Sequence, residues 1–183
     1  MATTQAWLRL LSVAARRGLA VEEVLLPPAP IADLASAELM LGMKLHPDLR
    51  ELYEQSAGLR RFRNHDREPS LPGFGFPSLK ESVARTLRLR EVAWRYWRPS
   101  WVQVFDDDYV EIFILDCSTG IVWYAWWEGD ELHPVAPTLA AFFGVAAAAA
   151  DRDDVRYQPD GDYFETPDGE VWEAPIKEPW TPT

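Results

Sequence analysis

Apolar and polar positions along this chain change period near residue 100. Before it, apolar residues recur at helical spacing. Trp7, Leu11, Ala14 and Ala15 predict a first helix, with Gly18 after Arg16-Arg17 as its stop. Pro27-Pro28-Ala29-Pro30 forbids helix and presets an extended approach. A helix follows with Ile31, Leu34 and Leu41 expected on its buried side, ended by Gly42. Pro47 suits the first position of the next helix, where its missing N–H would have had no partner. Leu49, Leu52, Tyr53 and Ser56 then line one face, and Gly58 is expected as the left-handed cap. A loop ending in Pro72-Gly73-Phe74-Gly75-Phe76-Pro77 reads as a cover over the core with two aromatic plugs. Leu79, Val83, Leu87, Trp94 and Trp97 predict a longer helix, basic outside, ending before Pro99.

After it, apolar residues alternate or run in short blocks. Trp101–Phe105, Val110–Asp116, Ile121–Trp127 and Leu132–Val135 are separated by Asp106-Asp107-Asp108, Ser118-Thr119-Gly120 and Glu128-Gly129-Asp130. Short strands joined by tight polar turns predict an antiparallel meander. Pro137-Thr138 opens a helix through Leu139, Phe142 and Phe143 that the alanines to Ala150 extend. The expected organisation is one domain over 1–150 and an acidic extension over 151–183. Within the extension, Tyr163–Thr166 and Glu170–Glu173 flank Pro167-Asp168-Gly169 as a hairpin that should dock on the main sheet or cover an edge. From Pro175 the chain is a tail, loose or strapped down.

Charge sharpens this picture. The chain of 183 residues carries a net −11, unevenly: residues 1–100 hold 15 Lys/Arg and 11 Asp/Glu, residues 101–183 hold 3 and 18, or +4 against −15. An acidic half repels nucleic acid and attracts a basic protein partner. The single cysteine, Cys117, excludes an internal disulfide. Neither a signal-peptide pattern nor a membrane-length apolar run is legible, so a cytoplasmic protein without membrane contact is expected.

Candidate chemistry is sparse. His46, His65 and His133 lack metal-ligand spacing, and nothing near Cys117 would lower its pKa. The acidic run Asp106, Asp107 and Asp108 reads either as a solvated turn or as part of an acidic surface with Glu128, Asp130 and Glu131, and only third as a metal site. Asp151, Asp153 and Asp154 are further candidates for that surface. Nine tryptophans exceed what one core needs. Trp123 and Trp127 share one strand face and Trp126 lies with Tyr124 on the other; one of the two faces is core, and the other is expected under the C-terminal hairpin, with an exposed aromatic patch as the alternative. The expectation is a non-enzymatic binding protein without a cofactor. Asp106, Asp107, Asp108, Glu128, Asp130, Glu131 and Trp126 are its candidate partner-binding residues.

In order, Pro27-Pro28-Ala29, Ile31…Glu38-x-x-Leu41-Gly42, Leu45-His46-Pro47-Asp48-Leu49…Gly58, Trp97-x-Pro99-x-Trp101, Leu115-Asp116, Gly120-Ile-Val and Ala136-x-x-Leu139 resemble the SUKH superfamily over residues 25–145. This superfamily includes fungal regulators of cell-wall glucan synthesis and bacterial immunity proteins. His46 departs from the pattern by separating a leucine and a proline that are usually adjacent. The resemblance implies an α+β fold with helices packed on one side of a mainly antiparallel sheet. It also implies a role without catalysis: an immunity protein that neutralises a toxin domain, often a nuclease, or alternatively an intracellular scaffold or regulator of envelope synthesis. A hydrolase or transferase would need a convergent polar pocket that these residues do not assemble.

Overall fold

The structure, a computed structural model, describes residues 2–60, 70–92, 96–107, 111–126, 131–158, 163–172 and 175–181. Helices α1 (Ala2–Arg16), α2 (Val21–Val24), α3 (Ile31–Leu41), α4 (Pro47–Gln55) and α5 (Leu79–Glu91) precede a sheet of β1 (Trp101–Asp107), β2 (Glu111–Asp116), β3 (Val122–Trp126) and β4 (Glu131–Ala136). Helix α6 (Leu139–Arg152), strands β5 (Arg156–Gln158) and β6 (Tyr163–Glu165) and a 3-10 turn at Pro175–Lys177 complete the chain. The fold is α+β, with an additional N-terminal helix and a C-terminal hairpin.

Local chemistry sets most helix ends. Ser78 and Glu81 form a reciprocal capping box at the start of α5, and the Thr138 hydroxyl accepts from the Ala141 N–H at the start of α6. His46 is the N-cap of α4: its Nδ1 accepts from the Asp48 N–H at 3.2 Å, one residue ahead of Pro47 at the first helical position. Gly42 ends α3 with φ +68°.

Four expectations change. The buried face of α1 is Trp7, Leu10, Val13 and Ala14, slightly rotated from the predicted stripe. Ile31 faces solvent, and Glu38 takes a place on the inner side of α3. Helix α4 ends at Ser56 in extended backbone, so Gly58 (φ +118°) is a crossing point rather than its cap. There the chain passes so close to Pro77 and Ser78 that a Cβ would lie 2.6 Å from the Pro77 carbonyl oxygen. Helix α5 stops at Glu91, short of Trp97; Trp94 lies outside the described residues.

The sheet runs β1-β2-β3-β4, each pair antiparallel. Its inner face meets α6 and the predicted plugs Phe74 and Phe76, both fully buried, and α1 packs against α6. Phe105 and Phe142 stack with centroids 5.3 Å apart, Phe113 meets Phe142 at 5.1 Å, and Trp7 meets Phe143 at 5.3 Å. Burying a Phe or Leu side chain here contributes about 1.5–3 kcal/mol, which makes this aromatic layer the main cohesive element. On the outer face Trp101, Ile112, Ile114 and Ala125 form a smaller cluster bordered by Leu89, Trp97, Trp123 and Leu132.

Both sheet margins are occupied. Along β1, the Ser82 hydroxyl of α5 donates to the Gln103 carbonyl, and the Gln103 N–H donates to the Thr86 hydroxyl at 3.0 Å. Gly75 and Asp106 exchange backbone hydrogen bonds of 2.6 and 3.2 Å. Along β4, Pro134 has no N–H to offer and its carbonyl accepts from the Trp180 N–H at 2.7 Å.

The extension is strapped down: its tail reaches the β4 edge at Pro134, while its paired strands form a separate sheet. Strand β6 pairs with β5, and the predicted hairpin is present as well: Val171 bridges Glu165, the Thr166 N–H donates to the Glu170 carbonyl and the Trp172 N–H to the Phe164 carbonyl, both at 2.8 Å. This unit sits against the end of α1, where the Tyr157 N–H donates to the Arg17 carbonyl at 2.8 Å. The Trp172 indole donates to Asp153 at 3.0 Å, and Ile176 is buried.

Candidate partner-binding surface

At one end of the sheet the registers align four residues in a row across the strands. Asp107 pairs with Glu111, Glu111 with Trp126, and Trp126 with Glu131. Directly opposed antiparallel partners project to the same face, so the row sets carboxylates on either side of an indole. Trp126 is 41% exposed, whereas Tyr124, two residues earlier on the same face, is buried. The loss of cover therefore begins at this row.

The row has a polar foundation. The Tyr124 hydroxyl donates to Glu111 at 2.7 Å, and the Lys177 ammonium from the 3-10 turn donates to the other oxygen of Glu111. His133 donates from Nε2 to the Lys177 carbonyl at 2.6 Å, while its Nδ1 lies 3.4 Å from Glu131. Glu131 keeps half of its side chain in solvent. The result is an indole with an open face, a fixed carboxylate below it and an exposed carboxylate beside it. Such a surface receives a cationic side chain over the ring with a counter-charge in reach.

The predicted site residues separate into three groups. Trp126 and Glu131 are adjacent and accessible, and the C-terminal hairpin does not cover Trp126. Asp107 belongs to the row by register; its side chain lies outside the described residues, as do Asp108, Glu128 and Asp130, in the connections leaving the same row. Asp106 is a correction. It is 8% exposed, ion-paired with Arg85 of α5 and pressed against Gly75, so it fastens β1 to the helical layer. Its place in a run of three aspartates concealed this, because a bulge between Gln103 and Phe105 resets the alternation of β1.

Glu111, His133 and Lys177 were not anticipated as parts of the site. Glu111 carried a weak signal, since it follows the acidic turn at the mouth of the same hairpin. Lys177 carried none, because its contact spans 66 residues. Of the other acidic candidates, Asp151 pairs with Arg16 at the end of α1, Asp154 with Arg17 just beyond it, and Asp153 with its neighbour Arg152. The first two pairs tie the end of α6 to the end of α1.

The outer-face tryptophans form a second aromatic feature. Trp97 and Trp101 meet edge to face at 6.0 Å, and the Arg98 guanidinium lies 5.0 Å from the Trp101 ring and 5.2 Å from that of Trp123. With their cation already in place, these rings serve cohesion.

At the opposite end of the sheet, Asp116 accepts from the Ser118 N–H (2.9 Å) and hydroxyl (2.6 Å). Burial raises its pKa, but hydrogen bonds from Ser118, Ser100 and Trp101 outweigh that and hold the carboxyl below its ordinary value. The Cys117 thiol is pushed up to about 11, chiefly by burial, the environment of a structural thiol. Among the described residues no group of three or more His, Cys, Asp or Glu side chains could hold a metal ion, and no helix is long and apolar enough to cross a membrane.

The fold and this surface together define a class: an antiparallel platform backed by helices, with a charged aromatic row at one end. A family model supplies the kinship. Residues 28–144 match the SMI1 / KNR4 family (SUKH-1), and since the match covers more than half of the chain, the protein belongs to that family. No curated protein matches the chain. The matched region contains the row from Asp107 to Glu131; α1 and the segment that supplies Lys177 lie outside it.

Proposed function

We propose that this protein is an immunity-type binding protein that occupies a basic toxin domain, with the toxin docking on the acidic end of the sheet. The observation that carries the reading is Trp126: the one large aromatic among the described residues exposed on the sheet, set in register between Glu111 and Glu131. Exposed aromatics beside carboxylates are the composition of an interface centre for a cationic partner. The split of −15 in the second half of the chain against +4 in the first favours the same class of partner. A nuclease toxin fits because its active site is built to hold polyanions, which an acidic protein surface imitates. Membership of a family compatible with immunity roles supports the reading.

The test takes as partner any basic toxin domain found encoded beside this gene. Binding should bury about 1,600 Å² in total and weaken steeply with salt. Trp126→Ala should weaken it by about 30-fold or more, the scale of an interface hot spot, and Glu131→Lys should slow association most at low ionic strength. A salt-insensitive complex, or one indifferent to both substitutions, overturns the proposal. So does a toxin that remains lethal when the two are co-expressed.

A further inference from the structure

Helix α3 is built inside out. Its sequence, IADLASAELML, contains two charged residues, and one of them, Glu38, points inward. There Glu38 meets Lys44 at 2.6 Å, Arg50 at 3.3 Å and the Leu45 N–H at 3.3 Å. The outward face is mostly apolar: Ile31 is 74% exposed, Leu39 83% and Met40 53%, with Ala32 and Ala35 exposed between them and Asp33 and Ser36 exposed at its margin. A surface helix of a globular protein ordinarily turns its apolar positions to the core. Solvent-facing apolar residues that form one contiguous face, rather than scattered single positions, mark an interaction site.

This face borders a groove of about 360 Å³ between α3 and the first turns of α5. Its walls are mostly apolar, from Ala37, Met40, Ala57, Leu79 and Val83. Asp33 stands on the α3 wall and Lys80 on the α5 wall. Farther along the exposed side of α5 comes Arg88, two turns from Lys80. A concave apolar slot beside a flexible methionine accepts inserted side chains of another helix, the helix-in-groove mode of recognition.

We propose that this groove is a second docking surface, for a helical segment of another protein with an apolar stripe, carboxylates on the flank facing α5 and a cation on the flank facing Asp33. Charge complementarity fixes the occupant. On the α5 wall the groove presents Lys80, with Arg88 farther along the same exposed side, in the half of the chain with net charge +4. A second copy of this chain or an anionic membrane fits less well, because a molecule of net −11 repels both. The surface goes beyond the toxin-binding reading. It lies in the helical layer and takes a partner of opposite charge, so the two can fail separately.

Two synthetic helices of about 16 residues, with the same leucine stripe and opposite flank charges, test this against the full chain. Fluorescence anisotropy should give a Kd below about 0.1 mM for the acid-flanked peptide and about 10-fold weaker binding for the base-flanked one. Methyl NMR shifts should centre on Leu39, Met40 and Val83. Leu39→Glu should abolish binding with an unchanged melting temperature, and Lys80→Glu should reverse the preference between the peptides. Equal affinity for both, no binding of either, or shifts mapped elsewhere overturn the proposal. Sedimentation showing a dimer that Leu39→Glu dissolves, or flotation with anionic vesicles lost in that variant, assigns the face to self-association or lipid and overturns it equally.

Discussion

Asp106 offers the sharpest separation between the roles of charge in this protein. Its side chain is 11% exposed and paired with Arg85, whose own side chain is 19% exposed. Breaking such a largely buried pair by truncating one member costs about 3–5 kcal/mol. Asp106→Ala should therefore unfold at a urea concentration lower by about 2 M, taking a slope of about 2 kcal/mol/M, with that slope unchanged. Asp106→Asn keeps the volume and an acceptor for Arg85, and should cost less. The double variant Asp106→Leu/Arg85→Met should recover much of the loss, because an apolar pair of similar size is nearly equivalent inside. Its affinity for the basic partner should stay close to that of the wild type. If Asp106→Ala instead unfolds within about 0.5 kcal/mol of wild type, the ion pair is not a fastening and the reasoning fails. Loss of partner binding in that stable variant would return Asp106 to the interface.

Two further perturbations probe the frame. Gly58→Ala combines φ +118° with a Cβ 2.6 Å from the Pro77 oxygen and 2.7 Å from the Ser78 Cα; it should cost about 3 kcal/mol and lower the melting temperature by about 6–12 °C, and a calorimetric loss near zero would show that the crossing relaxes. Asp116 has its folded pKa depressed, so its contribution is complete above the unfolded pKa and is lost as pH falls through the folded one. The stability gap between wild type and Asp116→Asn should accordingly narrow from about pH 5 to pH 2, and a gap independent of pH would contradict the assignment.

Much of the frame was legible because its determinants are local. Pro47 and Thr138 open helices, Gly42 closes one, and the alternation from Trp101 to Val135 laid out the meander. Each signal acts within a few residues of its effect. The faces of α1 and α3 were harder to read, since Ile31 and Leu34 are equally apolar and only the packing of distant helices selects between them. Glu38 is buried because Lys44 and Arg50 happen to reach it. The extension was legible in part: the turn at Pro167–Gly169 is a sound local signal and its hairpin forms, but the additional pairing of β6 with β5 upstream carried no such signal. At the candidate site, Trp126 and Glu131 could be named from the strand pattern. Asp106 could not be told from Asp107, because a bulge and a helix more than fifteen residues upstream decide which of them meets an arginine.

The occupied margins of the sheet carry a consequence for how recognition can change. With Ser82, Thr86 and Gly75 engaging β1, and Trp180 closing on Pro134, an incoming chain finds little backbone to zip onto. Strand addition, the least selective way for proteins to adhere and a common route to fibrils, is thereby discouraged. What remains for a visitor to read is side chains, and those can be exchanged one at a time without disturbing the ladder beneath them.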